Sequence, residues 1–232
     1  MLPGISAVAF DLDGTLYPNY SLNIRLLPFL FRYWRLMLAF RKARNMLRRE
    51  YSAQDELALR QPSAMPDFYE RQAQLVAAQL NERQGEIREI IDRIIYRGLE
   101  SLFLKVKLFP HVKETLGELR AAGLKLGLLS DFPPDTKLEY LGLSGLWDTA
   151  LCSESIGALK PAVQPFEDLA KALACKPGQI LYVGNSRRYD VEGAKRAGMK
   201  AALLNRGFPV ITGIKADFTF RNYRQLRNFM LQ

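Results

Sequence analysis

A parallel α/β sheet covered by helices on both faces, interrupted near its start by an all-helical insert, is the fold class this sequence predicts. Three observations carry the prediction. Residues 5–10 form an apolar run that ends abruptly at two carboxylates, Asp11 and Asp13. From Tyr17 to Leu108 the apolar residues recur at helical spacing, with no strand pattern among them. From Val112 onward, short apolar runs and helical patterns alternate strictly, which calls for parallel strands joined by helical crossovers.

The first strand contains Val8, Ala9 and Phe10, apolar on both faces as a buried parallel strand must be. Ser21 to Tyr51 reads as a long helix, with Pro28 in its first turn, where a missing N–H costs little. A Gln-Pro-Ser-Ala-Met-Pro break follows at 61–66. The spacing predicts a second helix over about Asp67 to Asn81. A third runs over about Glu86 to Lys105, striped by Ile87, Ile90, Ile91, Ile94, Ile95, Leu99 and Leu102. Beyond it, Val112–Ala122 is a helix closed by Gly123. Strands are expected at Lys125–Ser130, Thr149–Cys152, Ile180–Gly184, Lys200–Leu204 and Asp217–Phe220. Helices are expected at Thr136–Leu141, Gln164–Ala174, Val191–Ala197 and Tyr223–Leu231. The resulting architecture is a Rossmann-like three-layer αβα core made by residues 1–17 and 109–232, with 18–108 as a separate all-α domain.

The chain has 232 residues and a formal net charge of +9. The charge is uneven: residues 18–108 carry 16 Lys and Arg against 10 Asp and Glu, and residues 19–49 carry eight basic residues and no acid. Such a field attracts phosphate esters, acidic lipids or nucleic acid alike. Nucleic-acid binding needs a recognised module as well as charge, and none is present, so that partner is not expected. The apolar run in the Ser21–Tyr51 helix, Leu26 to Phe40, contains Arg32 and Arg35 and falls short of the roughly 20 apolar residues of a membrane span. Burial in a helical bundle or a subunit contact is the favoured reading of this helix, ahead of peripheral membrane contact. A monomer or a dimer through the helical domain is expected. Two cysteines, Cys152 and Cys175, make no disulfide framework, and no signal-peptide pattern opens the chain, so a cytoplasmic location is expected.

Polar residues gather where strands end. Asp11 and Asp13 follow the first strand; being two apart on an extended backbone, they point the same way and invite a hard cation such as Mg²⁺. Ser130 and Asp131 follow the Lys125 strand, and Asn185, Ser186 and Asp190 follow the Ile180 strand. Lys160 opens the helix between them. In a parallel sheet, ligands sit at the carboxyl ends of the strands. Carboxylates, an amide, a hydroxyl and an ammonium converging there match metal-assisted phosphoryl chemistry. His111, the only histidine, is read as a helix-start residue on the far side of the sheet.

In these features the chain resembles the haloacid dehalogenase superfamily over its whole length. Asp11-Leu12-Asp13-Gly14-Thr15 matches that family's first motif, Ser130 the second, and Lys160 in Leu159-Lys160-Pro161 the third; Gly184-Asn185-Ser186-Arg187-Arg188-Tyr189-Asp190 resembles the fourth. The helical insert is similar to the family's cap domain. The resemblance implies a Mg²⁺-dependent phosphohydrolase acting on a small phosphorylated metabolite. Asp11 would be the nucleophile and Asp13 the acid and base. Thr15 and Ser130 would hold phosphoryl oxygens, and Lys160 would neutralise charge. The metal would be held by Asp11, by Asp13 through its backbone carbonyl, and by Asn185 and Asp190.

Asn185 departs from the usual Gly-Asp of the fourth motif and brings no charge, which shifts the expected metal load onto Asp190. Asp131 suits a substrate hydroxyl or a cap for the turn at Pro133-Pro134. Arg187 suits a second anionic group of the substrate or simply faces water. Two further functions share these motifs: a sugar-phosphate mutase, and a non-catalytic protein that binds a partner through the basic helical insert.

Overall fold

Strands β1 (Ala7–Phe10), β2 (Lys125–Ser130), β3 (Thr149–Cys152), β4 (Ile180–Gly184), β5 (Lys200–Leu204) and β6 (Phe218–Phe220) form one sheet in the order β3-β2-β1-β4-β5-β6. Every neighbouring pair is parallel. The computed structural model describes residues 3–57, 67–98, 100–207 and 214–232. The break expected at 61–66 and Leu99 lie outside the described residues.

The sheet is buried on both faces, with side chains alternating as the strand period requires. Val8, Phe10, Leu126, Leu128, Leu181 and Val183 face one way. They pack on α4 (Val112–Ala121) and α9 (Tyr223–Leu231) through Leu116, Leu119, Leu226 and Met230. Ala7, Ala9, Leu129, Ile180 and Tyr182 face the other way, onto Phe166, Leu169 and Ala170 of α7 (Val163–Ala172) and Ala194 of α8 (Glu192–Arg196). The first strand lies at the centre, in register with β2 and β4 (Phe10 opposite Leu128 and Val183). Asp11 N–H still donates to the Val183 carbonyl at 2.9 Å. The first-motif loop therefore leaves the middle of the sheet with its starting direction fixed.

The helical insert has its own apolar cluster. Helix α1 (Asn19–Leu57) contributes Leu36, Phe40, Ala43, Leu47 and Tyr51. Phe68 and Val76 come from α2 (Phe68–Leu80), and Ile87 and Ile91 from α3 (Gln84–Ile91). Ala158, Leu159 and Ala162 join it from the segment before α7. Asp67 caps α2, accepting from the Glu70 N–H at 3.0 Å.

Three local expectations are corrected. Pro28 lies inside α1 rather than in its first turn, on the exposed side, where water can stand in for the missing N–H. The helix is interrupted at Tyr33, whose φ and ψ are −119° and 27°. The single helix expected over Glu86–Lys105 is α3, then a π-helical turn (Asp92–Arg97) and a 3-10 turn (Glu100–Lys105), breaking near Gly98, the poorest helix former in the run. His111 opens α4 with φ +68°, as a helix-start residue, yet α4 starts at the edge where β1 ends: Phe109 N–H donates to the Leu16 carbonyl at 2.9 Å. The His111 ring meets Glu114 at 3.1 Å. Three short elements escaped the sequence pattern: α6 (Ser153–Ile156), a 3-10 turn at Pro177–Gln179 and a π-helical turn at Arg187–Val191; α5 (Asp135–Tyr140) lies close to expectation.

Candidate active site

The carboxyl ends of β1, β2 and β4 bring Asp11, Ser130 and Asn185 to one edge, and the loop before α7 adds Lys160 between them. The Lys160 Nζ donates to Asp11 Oδ1 and to Asp190 Oδ1, both at 2.7 Å, and to the Tyr182 hydroxyl at 3.1 Å. All three partners are buried, so the ammonium is held by hydrogen bonds in place of water. Burial pushes the Asp11 carboxyl up to about 7 against the pull of Lys160, with Asp190 and Asp13 adding to the rise. Burial would drive Lys160 down, but Asp11 and Asp190 hold it well above the usual lysine range. The second Asp11 oxygen, Oδ2, accepts from the Thr15 hydroxyl at 2.7 Å. The Tyr223 hydroxyl fixes the same turn by donating to the Thr15 carbonyl at 2.7 Å.

Gly14 makes this turn possible. Its φ is +87°, and a Cβ there would overlap the Asn185 and Asn19 side-chain amides. Asn185 thus lies across the first-motif loop. Gly184 is as constrained: a Cβ would run into the Asp190 carboxylate. Asp190 closes the loop after β4, its Oδ2 accepting from the Asn185 and Ser186 N–H groups at 3.1 and 2.9 Å.

The other expected residues sort themselves by contact. Asp13 is engaged by the Tyr17 hydroxyl and by Lys137 Nζ. Ser130 is fully buried, its Oγ accepting from the Phe132 N–H at 3.1 Å. Asp131 caps neither the Pro133-Pro134 turn nor a helix. Its Oδ1 accepts from the Lys160 N–H at 3.2 Å and its Oδ2 from Arg48 at 2.8 Å, tying β2, the Lys160 loop and α1 together. Burial favours the neutral acid there, but Lys160, Arg48 and Arg44 outweigh it and hold the Asp131 carboxyl below its ordinary value. Arg187 is half-buried in the π-helical turn Arg187–Val191, where Tyr189 lines the cavity.

A cavity of about 1170 Å³ lies between this edge and the helical insert. Asp13 and Lys137 stand in its wall with Phe103 and Phe132; opposite are Leu26, Leu30, Trp34, Met37, Arg41, Arg44 and Arg48 of α1. Arg44 pairs with the buried Glu154 of α6, whose other oxygen accepts from Tyr96 at 3.0 Å; Arg44 also stacks 4.0 Å from the Phe132 ring. Lys137, Tyr182, Arg48 and the Arg44–Glu154 pair were not among the expected site residues. Arg44 and Arg48, four apart within an acid-free basic run, carried a signal in their shared helical face. Lys137 and Tyr182 carried none.

Whether the site suits a divalent cation can be judged from its donors. Among the described residues no three acidic, histidine or cysteine side chains cluster as a cation site. The donors near the end of β1 are the Asp11 carboxylate, which Lys160 and Thr15 also engage, and the Asp13 backbone carbonyl, with the Asn185 side chain across the loop. Mg²⁺ keeps several waters and needs only one or two carboxylates, so this set fits it. Asp190 has both oxygens committed to Lys160 and the loop amides.

A parallel sheet that sets an aspartate, bridged to a buried lysine, at the end of its central strand defines an α/β protein with a charged site at the carboxyl edge of the sheet. Its family is shown by comparison. The haloacid dehalogenase-like hydrolase family model matches residues 5–198, and the chain belongs to that family. The phosphoglycolate phosphatase of Salmonella typhi is 28% identical, over 97% of this chain and 92% of the relative. The glyceraldehyde 3-phosphate phosphatase of Methanopyrus kandleri is 28% identical, over 88% and 85%. A second glyceraldehyde 3-phosphate phosphatase, from Methanothermobacter thermautotrophicus, is 34% identical over a shorter stretch, 44% of this chain and 47% of the relative. Among solved structures, a HAD phosphatase from Thermococcus onnurineus superposes with a TM-score of 0.63 at 25% identity, covering 98% of both chains. A dehalogenase structure shares the fold at a TM-score of 0.67 and 20% identity.

Proposed function

We propose that this chain is a Mg²⁺-dependent phosphomonoesterase that works through an aspartyl-phosphate on Asp11. The observation that carries the reading is the Asp11–Lys160–Asp190 bridge at the end of the central strand. Asp11 attacks the phosphorus in line, and the bond to the leaving oxygen breaks as Asp13 supplies a proton. Asp13 then takes a proton from the water that attacks the same phosphorus, and the Asp11–phosphate bond breaks. Thr15 and Ser130 donate to phosphoryl oxygens. Lys160 balances the charge shared by Asp11 and the phosphate, and Asp190 holds Lys160 in place. Asp11, the Asp13 carbonyl and Asn185 would hold Mg²⁺, which supplies charge neutralisation at the phosphoryl oxygens.

Residues 18–108 serve in this reading as the cap that closes over the leaving group and excludes water. The substrate is a small phosphate ester, and the substrates named for the relatives set the first panel to test. Two unpaired cysteines, Cys152 and Cys175, fit a cytoplasmic setting. The test is a phosphate-release screen over metabolite esters with and without Mg²⁺, with Asp11→Asn as blank. Turnover that needs both Asp11 and Mg²⁺ is expected. Activity surviving Asp11→Asn would overturn the assignment of the nucleophile, and inactivity of the parent on every ester would favour the non-catalytic reading.

A further inference from the structure

The N-terminal part of α1 carries an apolar face that no described residue covers. Tyr20, Ile24, Leu27, Phe31, Trp34 and Leu38 are each more than half exposed, and Phe31 is 88% exposed. Before the interruption at Tyr33, Tyr20, Ile24, Leu27 and Phe31 recur every four or three residues, and on a helix advancing about 100° per residue they fall within roughly 60° of one another. Single exposed apolar side chains are ordinary, but a continuous row of large ones marks a contact surface. Trp34 and Leu38 remain exposed beyond the irregular Tyr33, and both also line the mouth of the cavity.

Charge identifies what the face meets. Residues 19–49 hold eight cations and no acid. Arg44 and Arg48 are spent on Glu154 and Asp131, while Arg32, Arg35, Arg41, Lys42 and Arg49 are exposed along the same helix. A second copy docking stripe to stripe would bring like charges together. Coiled-coil seams instead rely on opposite charges at their flanks, and this span has no carboxylate to offer. An anionic bilayer offers both complements, hydrocarbon for the stripe and phosphate headgroups for the flanking cations.

We propose that α1 lies in the surface of an anionic lipid membrane, with the stripe among the acyl chains and the cavity mouth beside it. Among the described residues no helix is long and apolar enough to cross a membrane, so the contact is on the bilayer rather than through it. This goes beyond the phosphatase reading and does not depend on it.

The test is sedimentation of the full chain with vesicles of phosphatidylcholine, pure or with about one-third phosphatidylglycerol, at low and high salt. Leu27→Asp combined with Phe31→Asp is the variant; both positions are exposed and neither lines the cavity. Binding is expected to require phosphatidylglycerol, weaken with salt, and fall at least about tenfold in the variant, whose phosphate release from a soluble ester is unchanged. Three results would each overturn the proposal: no sedimentation, sedimentation undiminished in the variant, or a dimer by light scattering that the variant abolishes. Vesicle binding without turnover on any ester would leave the proposal standing and remove the hydrolase reading instead.

Discussion

Lys137 reaches Asp13 across 124 positions of sequence, its ammonium 2.7 Å and 2.9 Å from the two carboxylate oxygens. Tyr17 donates to the same carboxylate from the first-motif loop. The proposed acid and base is thus tethered by two groups of unequal chemistry. Removing the carboxylate should abolish proton transfer, and Asp13→Asn is expected to lower kcat by about 10²–10⁴. Lys137→Met leaves Tyr17 to orient Asp13, so kcat should stay within about tenfold while KM rises. Steady-state kinetics of both variants check this. Equal losses in kcat would make Lys137 part of the chemistry itself.

The Asp11 carboxyl, lifted to about 7 by burial, must be ionised to attack. The proposed turnover needs Mg²⁺, so this titration is read from the stability of the metal-free protein. A folded value above the unfolded carboxylate range means that the folded state holds the proton. Stability from this group is then present below about pH 4 and lost as pH rises through about 7. Denaturant titrations of the metal-free protein across that window check this, and Asp11→Asn should flatten the profile. A slope that persists unchanged in Asp11→Asn would contradict the assignment.

Lys160, Asp11 and Asp190 form a buried unit whose charges depend on one another. Lys160→Met strands two buried carboxylates without their shared cation and should cost about 3–5 kcal/mol in a denaturant titration. Adding Asp190→Asn to that background removes one stranded charge and should restore part of the loss. Activity stays absent in both, because neither restores the cation beside Asp11. If the two changes add as independent costs, the bridge contributes little.

The strands and the first-motif turn were legible because each is a local pattern. Ile180–Gly184 and Lys125–Ser130 are short apolar runs with polar ends, and a parallel sheet gathers those ends by topology alone. What escaped depended on distance. Asp131 looked available for substrate because Arg48, 83 residues earlier, leaves no trace beside it in sequence. Glu154 sits in a four-residue helix too short for any periodicity, so nothing in the sequence marks it as 1% exposed. The apolar residues of α1 were legible as helical, but periodicity does not say which stripe finds a partner. Leu36 and Phe40 did; Leu27 and Phe31 did not.

Asn185 lies against Gly14, at the place where the family resemblance implies an aspartate. Asn185→Asp would add a further carboxylate beside Asp11, Asp13 and Asp190, costing stability without metal and gaining attraction for it. The Mg²⁺ concentration at half-maximal phosphate release should fall roughly tenfold. The unfolding midpoint should drop without Mg²⁺ and rise more steeply with it than in the parent. An unchanged half-saturation would mean that Asn185 is not a ligand.

Arg44 and Glu154 form the most deeply buried ion pair between the helical insert and the core, with side chains 5% and 0% exposed. Burial lifts the Glu154 carboxyl above its ordinary range even though Arg44 and Tyr96 both donate to it. The pair is therefore costly to break and of little net benefit to make. Glu154→Gln leaves a buried guanidinium facing Tyr96 and Phe132 without a counter-charge, an expected loss of about 3–5 kcal/mol. Arg44→Met together with Glu154→Met replaces both charges with side chains that suit the surrounding Phe40, Tyr96 and Phe132, and should recover most of that loss. Denaturant midpoints of the parent, Arg44→Met, Glu154→Met and the double variant complete the cycle. A double variant less stable than either single change would show that the pair stabilises the contact between α1 and α6 rather than merely fixing its register.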